Sequence, residues 1–335
     1  CYIELIMKKV LVTGAGGFIG SHLTEYLIGQ GYKVLPMLRY RSEKNFGWLK
    51  IAIEKGKLDK ESIIYGDICD RGFVKEAVSE SEVIFNLAAL IGIPYSYKAM
   101  ESYINVNING VFNILEEIKN TNKILVQTST SETYGTAQYV PIDENHRKHA
   151  QSPYAATKIA ADEIALSYYR SFGTRVRVIR PFNTYGPRQS FRAVIPTIIG
   201  QVLNNACSQI YLGNITATRD FNFVIDTVTA FEKISDNNSC DGLEINVASN
   251  FEISIQKVAQ LIMNYLEIKK EIVTDKNRLR PENSEVERLY GCNKKFLSLI
   301  GWEPNFLGIK GFEKGLEKTI EWFKINQKTN KDYLI

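Results

Sequence analysis

The sequence predicts an α/β protein of the doubly wound kind, a parallel sheet with helices on both faces, followed by a smaller and mostly helical region. Three observations carry this. An apolar run, Lys8 to Thr13, turns directly into Gly14-Ala15-Gly16-Gly17-Phe18-Ile19-Gly20 and then into a helical pattern. Further short apolar runs at 33–38, 63–68, 83–87, 123–128 and 175–180 alternate with helical stretches, the rhythm of a parallel sheet. From Pro181 that rhythm gives way to the turn-rich Pro181-Phe182-Asn183-Thr184-Tyr185-Gly186-Pro187-Arg188-Gln189 and then to mixed helices and short strands.

The first strand and its glycines come first in the chain and decide most. Gly14, Gly17 and Gly20 have the spacing of a tight strand-to-helix turn, in which N–H groups and the helix terminus face a pyrophosphate and the last glycine lets helix pack on strand. Between a strand and a helix, this is the Rossmann pattern for a dinucleotide, with Gly16, Phe18 and Ile19 completing the turn. The second strand, 33–38, ends in Arg39-Tyr40-Arg41, where a ribose-binding acid is expected for NAD. Two guanidinium groups suit a 2′-phosphate, so NADP is favoured, with NAD as the alternative. The third strand ends at Asp67-Ile68, where Asp67 is placed to receive an adenine amine. The fourth leads into Leu87-Ala88-Ala89, small enough at 88 and 89 for the cofactor backbone to come close. A helical stretch from Lys98 to Lys119 carries Asn107 in an apolar pattern, expected to hydrogen-bond the active-site strand.

The fifth strand delivers Thr128-Ser129-Thr130-Ser131-Glu132-Thr133-Tyr134-Gly135 to the carboxyl edge of the sheet, where open α/β sheets bind ligands. Ser152-Pro153 then starts a helix, with Tyr154 in its first turn and Lys158 four residues on, on the same face. A phenol titrates near pH ~10, and holding it as phenolate at neutral pH takes about 4 kcal/mol. A lysine ammonium, a helix N-terminus and an oxidised nicotinamide together supply that. An isolated Tyr-x-x-x-Lys on a helix is usually a solvated face; the preceding motifs argue otherwise here.

Composition bounds the rest. The chain has 335 residues, 44% of them hydrophobic, enough for one large domain or two smaller ones. We read 7–182 as a dinucleotide-binding Rossmann domain that regains part of 218–247, and 183–330 as the substrate-binding region. A net charge of +4, from 41 basic and 37 acidic residues, gives no reason to expect nucleic acid as a partner. Five cysteines without Cys-x-x-Cys fit reduced thiols in a cytoplasmic protein, and three histidines without a ligand cluster give no metal site. Cys1 to Ile6 read as a short leader before Met7, too short for a membrane segment.

Taken together, Thr13 to Gly20, Ser129-Thr-Ser-Glu-x-Tyr-Gly135, Tyr154-x-x-x-Lys158, Arg180-Pro-Phe-Asn183-x-Tyr-Gly-Pro-Arg188, Arg219-Asp220-Phe221 with Asp226, Arg280-Pro281 and Gly301-Trp302-x-Pro304 resemble the extended short-chain dehydrogenase/reductases that act on nucleotide sugars. The resemblance runs from about residue 8 to residue 325. It implies a nucleotide-diphosphate sugar as partner, Tyr154 as catalytic base, Lys158 as its electrostatic partner and ribose anchor, and Thr130 as the hydroxyl that holds the sugar O4. It implies cofactor contacts from Thr128 and Pro181, and substrate contacts from Ser131, Asn183, Arg192, Arg219 and Arg280. A homodimer built on the 98–119 and Tyr154 helices is also implied.

The triplet Thr130-Ser131-Glu132 resembles that of GDP-mannose 4,6-dehydratases, whereas epimerases of the family carry a small or apolar residue at the third place. Local wording at 134–142 and 183–196, together with Arg39 to Arg41 and Phe46 to Leu49, is similar to the N-acetylglucosamine 4,6-dehydratases of legionaminic acid synthesis. The expected activity is therefore 4,6-dehydration of UDP- or GDP-N-acetylglucosamine to a 4-keto-6-deoxy sugar, with Glu132 removing the C5 proton and serving the departing C6 hydroxyl. The alternatives are a 4- or 5-epimerase, a uronic acid decarboxylase and a cofactor-sensing binding protein. Tyr134, Phe182 and Tyr185 read as packing residues, Arg188 as surface.

Overall fold

The computed structural model describes residues 7–40 and 45–326. Arg41, one of the two expected phosphate-binding guanidinium groups, and residues 1–6, expected as a leader, lie outside the described residues. The chain divides into two compact units: 1–129, 153–180 and 227–245 form the first, and 130–152, 181–226 and 246–335 the second.

The first unit is built on the expected sheet. Its strands are β1 (Lys9–Thr13), β2 (Lys33–Leu38), β3 (Ile64–Tyr65), β4 (Val83–Asn86), β5 (Ile124–Thr128) and β6 (Arg175–Pro181). With a later strand, Glu244–Val247, the seven stand in the order 244–247, β6, β5, β4, β1, β2, β3. The pairs from β3 to β6 all run parallel, Val10 opposite both Val34 and Val83, and Ile124 opposite Arg175. Winding reverses between β1 and β4, the place where doubly wound sheets open a ligand crevice at their carboxyl edge. Strand side chains Leu11, Ile84, Leu125 and Val176 pack with Val111, Ile114 and Leu115 of one helix and Ala161 and Ala165 of another, all buried. Each large apolar side chain so buried stabilises the fold by about 1.5–3 kcal/mol.

Two elements differ from expectation. The third strand is only Ile64–Tyr65, because the chain turns at Asp67: its side chain accepts from Cys69 N at 2.9 Å and its carbonyl from Asp70 N at 3.0 Å. The 98–119 helix is helical from Met100 to Ile118 but is interrupted by a π-helical turn, Ile104–Asn109. Such turns are frequent where a helix must re-aim a side chain, and this one carries Asn107.

The second unit holds β7 (Asn183–Tyr185), β8 (Gln209–Leu212), β9 (Thr218–Phe223), β10 (the Glu244–Val247 strand, of which 246–247 falls here), β11 (Glu252–Ser254) and β12 (Glu271–Thr274). β9 lies between β7, parallel to it, and β11, antiparallel to it; β8 pairs with β12. The helices Val194–Leu203, Ile255–Leu266 and Gly308–Asn326, the last through Phe312, close over Tyr185, Phe221 and Phe223. Tyr185 is core, its hydroxyl donating to the carbonyl of Phe312 at 3.0 Å. Arg188, expected at the surface, is 7% exposed and sits at φ +71°; the bend between Gly186 and Gln189 folds it inward. Among the described residues no helix is long and apolar enough to cross a membrane.

Candidate active site

In the first unit the glycine turn is shaped for close approach. Gly14 has φ +66°, and a Cβ there would stand 3.0 Å from the backbone N of Ala88. A Cβ on Gly20 would stand 2.3 Å from the carbonyl oxygen of Gly14. Phe18–Gly29 is the following helix, and its N-cap, Gly17, brings no side-chain acceptor, so the leading N–H groups stay available to an anion. Gly16 accepts from Trp48 N at 3.0 Å, which ties the 45–48 loop to the turn. The residues fit a dinucleotide: a cradle that any side chain would fill, a helix terminus, and the hydroxyl Oγ1 of Thr128, buried without a hydrogen-bond partner at the strand edge.

A polar relay runs along that edge. Thr13 Oγ1 accepts from the N–H groups of Leu87 and Ala88, each at 3.0 Å, and donates to Asn86 Oδ1 at 2.7 Å. Asn86 Nδ2 donates to Gln127 Oε1 at 2.8 Å, and Gln127 Nε2 to the carbonyl of Thr128 at 3.2 Å. The ammonium of Lys158 donates to that same carbonyl. The glycine turn and Lys158 are thus held in one register by buried hydrogen bonds. Sequence reading missed Asn86 and Gln127; the available signal was two polar residues at the ends of otherwise apolar strands.

Tyr154 and Lys158 lie in the helix Pro153–Phe172 and are 7% and 4% exposed. The ring of Tyr154 meets that of Tyr103 edge-on, centroids 6.4 Å apart. Burial pushes the Lys158 ammonium below its usual range, and Asp162, one turn further, pulls it back up. Contrary to expectation, the partners of Asn107 are not on the active-site strand. It bonds Leu90 through both backbone groups, at 2.8 and 3.0 Å, and donates to Thr157 Oγ1 at 3.1 Å, because the π-helical turn aims it at the Tyr154 helix. Asp67 and Arg39 pair with each other, Oδ2 to Nε 3.3 Å, on a largely exposed flank. Ile68 is buried beneath Gly110. Pro181 ends β6 and is buried.

In the second unit the triplet forms a tight 3-10 turn, Ser131–Tyr134, with Thr130 as its cap: Thr130 Oγ1 accepts from Glu132 N at 3.3 Å. Ser131 and Glu132 are 2% and 8% exposed. Tyr134 anchors the turn by donating to Asn246 Oδ1 at 2.8 Å. The Glu132 carboxylate pairs with Arg280, Oε2 to Nη1 3.5 Å. Arg219 joins this cluster: its Nη2 lies 3.6 Å from Glu285 Oε1, burial pushes its guanidinium below the usual range, and the charge of Glu132 raises it again. Asn183 Oδ1 is buried without a partner. A cavity of about 430 Å³ opens beside Arg280, with Asn214, Thr216, Glu285 and Glu287 in its wall. Arg192 stands exposed ahead of the Val194–Leu203 helix, apart from this cavity's lining. Among the described residues no group of three or more potential ligands is arranged for a metal ion.

A family model described as GDP-mannose 4,6 dehydratase matches residues 11–319. The chain belongs to the GDP-mannose 4,6-dehydratase family. Relatives of this family member carry out related chemistries. A dTDP-D-glucose 4,6-dehydratase of Dictyostelium discoideum is 29% identical, over 97% of this chain and 83% of its own length. A UDP-N-acetyl-alpha-D-glucosaminuronate decarboxylase of Bacillus cytotoxicus is 30% identical, over 95% of this chain and 98% of its own. Among solved structures, the dTDP-glucose 4,6-dehydratase of Bacillus anthracis in complex with NAD superposes with a TM-score of 0.81 at 27% identity, covering 97% of this chain and 99% of that one. The doubly wound fold of this GDP-mannose 4,6-dehydratase family member is therefore that of the nucleotide-sugar dehydratases, epimerases and decarboxylases.

Proposed function

We propose that the protein is a nucleotide-sugar 4,6-dehydratase that forms a 4-keto-6-deoxy sugar nucleotide from UDP- or GDP-N-acetylglucosamine for surface-glycan synthesis, with NADP favoured over NAD. The observation that carries this reading is Glu132: a carboxylate on a rigid, capped turn, ion-paired to Arg280, in a chain that also keeps Tyr154 and Lys158. Oxidation at C4 needs only the tyrosine and lysine. A further acid is needed to take a proton from C5 and hand one to a leaving hydroxyl at C6.

When bound, the nicotinamide dinucleotide would take hydride from sugar C4 and return it at C6. Tyr154, as phenolate, accepts the proton of the C4 hydroxyl, and Lys158 favours that phenolate by its charge. Thr130 holds O4. Glu132 removes the C5 proton, which the C4 carbonyl has made acidic, and then protonates the departing C6 oxygen so that water leaves; once hydride is back at C6, C5 regains a proton, which balances the one Tyr154 took from the C4 hydroxyl. Ser131 is a far weaker proton donor than a carboxylic acid, so both duties fall on Glu132. Arg280 and Arg219 take the substrate diphosphate, Asn183 assists them, and the neighbouring cavity, within the usual size range for small-molecule sites, takes the nucleoside. Glycine at 14, 17 and 20 and the helix terminus hold the cofactor pyrophosphate, with Arg39 supplying charge for a 2′-phosphate.

The test is to incubate the protein with a panel of UDP-, GDP- and dTDP-sugars and weigh the products. Loss of the mass of water from an N-acetylglucosamine nucleotide supports the reading. Unchanged mass with altered configuration would make it an epimerase, and loss of carbon dioxide from a uronic acid nucleotide a decarboxylase.

A further inference from the structure

Behind Lys158 lies a buried charge cluster that the reaction itself does not use. Asp162 is one helical turn beyond Lys158 and wholly buried; its Oδ2 accepts from Ser129 Oγ and, at 3.0 Å, from Arg180 Nη2. Arg180, also wholly buried, donates from Nε to Ser129 Oγ at 3.2 Å and from Nη2 to Glu244 Oε1 at 2.8 Å. Asp162 Oδ1 has no hydrogen-bond partner. Burial pushes the Asp162 carboxyl up, while Arg180, Lys158 and the Ser129 hydrogen bond draw it back down; with all four ionised, Lys158, Arg180, Asp162 and Glu244 sum to zero inside the first unit.

We propose that Asp162 is the positioning residue for Lys158: clamped by Ser129 and Arg180, it supplies the counter-charge that lets an ammonium stand buried one turn from Tyr154. An unpaired buried ammonium costs several kcal/mol and escapes that cost by losing its proton. The recorded hydrogen bond of Lys158 goes to the neutral carbonyl of Thr128, which does not offset a full charge. Asp162 stands at i+4, on the same helix face. Glu244 answers Arg180 from the other side, which leaves the charge of Asp162 free to act on Lys158. Ser129 links this cluster to the triplet, since it is the last residue before Thr130. Asp162, on the same helix, is the charged group that acts on Lys158; Arg180 on β6 pairs with Asp162 and with Glu244 on the neighbouring strand, and Tyr103 stands against Tyr154. Removing the carboxylate leaves the buried lysine without its counter-charge, and it gives up its proton.

The inference rests on the pairing of Tyr154 with Lys158 but needs no dehydration, so its first test uses no substrate. Protein carrying 13Cε-labelled lysine is titrated by NMR, with the Lys158 signal assigned through Lys158→Arg. In the native chain Lys158 stays protonated through pH 8; a neutral Lys158 at pH 8 overturns the proposal without any variant. In Asp162→Asn, which keeps the shape and the acceptor oxygen, the proton affinity of Lys158 falls at least about tenfold, one pKa unit, and Asp162→Glu restores most of it. A Lys158 titration unchanged in Asp162→Asn, accompanied only by a lower melting temperature, would make Asp162 a structural partner of Arg180 and overturn the proposal. A second readout is the alkaline limb of C4 oxidation at 340 nm, which moves to lower pH in Asp162→Asn if the proposal holds and stays in place if it does not.

Discussion

Glu132 and Arg280 hold each other at 3.5 Å within the second unit, the carboxylate one-tenth exposed and the guanidinium one-quarter. If Arg280 receives a substrate diphosphate, that contact must loosen as the phosphate arrives, and the carboxylate is released when there is a sugar for it to act on. Removing its charge separates the two halves of the proposed reaction. Glu132→Gln is expected to keep oxidising C4, visible at 340 nm, while loss of water falls by about 10²–10⁴-fold. Six-deoxy product at the native rate would remove Glu132 from the mechanism.

Arg39 bears on the choice of cofactor. Its ion pair with Asp67 is mostly exposed, side chains 66% and 38%, and such pairs contribute only about 0–1 kcal/mol. A 2′-phosphate bound at Arg39 would displace Asp67 at little cost and gain a charge-assisted hydrogen bond. Arg39→Gln is therefore expected to weaken NADP binding by about tenfold, ~1.4 kcal/mol, and to leave NAD binding nearly unchanged. Fluorescence titration with both cofactors checks it; equal losses for the two would end the assignment to the 2′-phosphate.

Gly20→Ala tests the glycine turn. The added Cβ would meet the Gly14 carbonyl oxygen at 2.3 Å and Ala15 Cα at 2.9 Å, both backbone, so the helix must move off the strand. Overpacking of this kind costs about 1–3 kcal/mol, and each kcal/mol lowers the melting temperature of a unit this size by roughly 2–4 °C. Calorimetry should show that drop, with weaker cofactor binding beside it.

These residues divide by how local their signal is. The glycines at 14, 17 and 20, the Tyr154–Lys158 spacing and the Thr130 cap act on neighbours within one or two turns, so their chemistry is written in adjacent letters. Asn86, Gln127, Asp162 and Arg180 find partners 18 to 73 residues away. In sequence they are single polar residues in apolar strands or a smooth helix, and only packing reveals what they meet. Asn107 shows the same limit: its burial was foreseeable, but its partner depends on the π-helical turn that swings it toward Thr157. The short third strand follows from Asp67, whose side chain caps a turn as readily as it serves a ligand.

Asp220 gives a prediction about pH. Its carboxylate is wholly buried in the second unit; Oδ1 accepts from Ser249 N at 2.8 Å and Ser249 Oγ at 2.7 Å, and Oδ2 from Gly291 N at 3.2 Å. Burial outweighs these donors and pushes its pKa up to about 7. In the unfolded chain an aspartate titrates near ~3.9. Between those values the folded state holds a proton that the unfolded state has lost, so unfolding releases it and stability falls as pH rises, levelling off above about 7. From pH 5 to pH 8 this one group is expected to remove about 2–3 kcal/mol. Asp220→Asn cannot ionise: it costs stability at every pH, since its amide NH₂ faces N–H donors, but it should flatten the slope. Urea unfolding of both proteins at pH 5 and pH 8 decides it, and equal slopes would mean that the three donors keep Asp220 ionised in the folded protein.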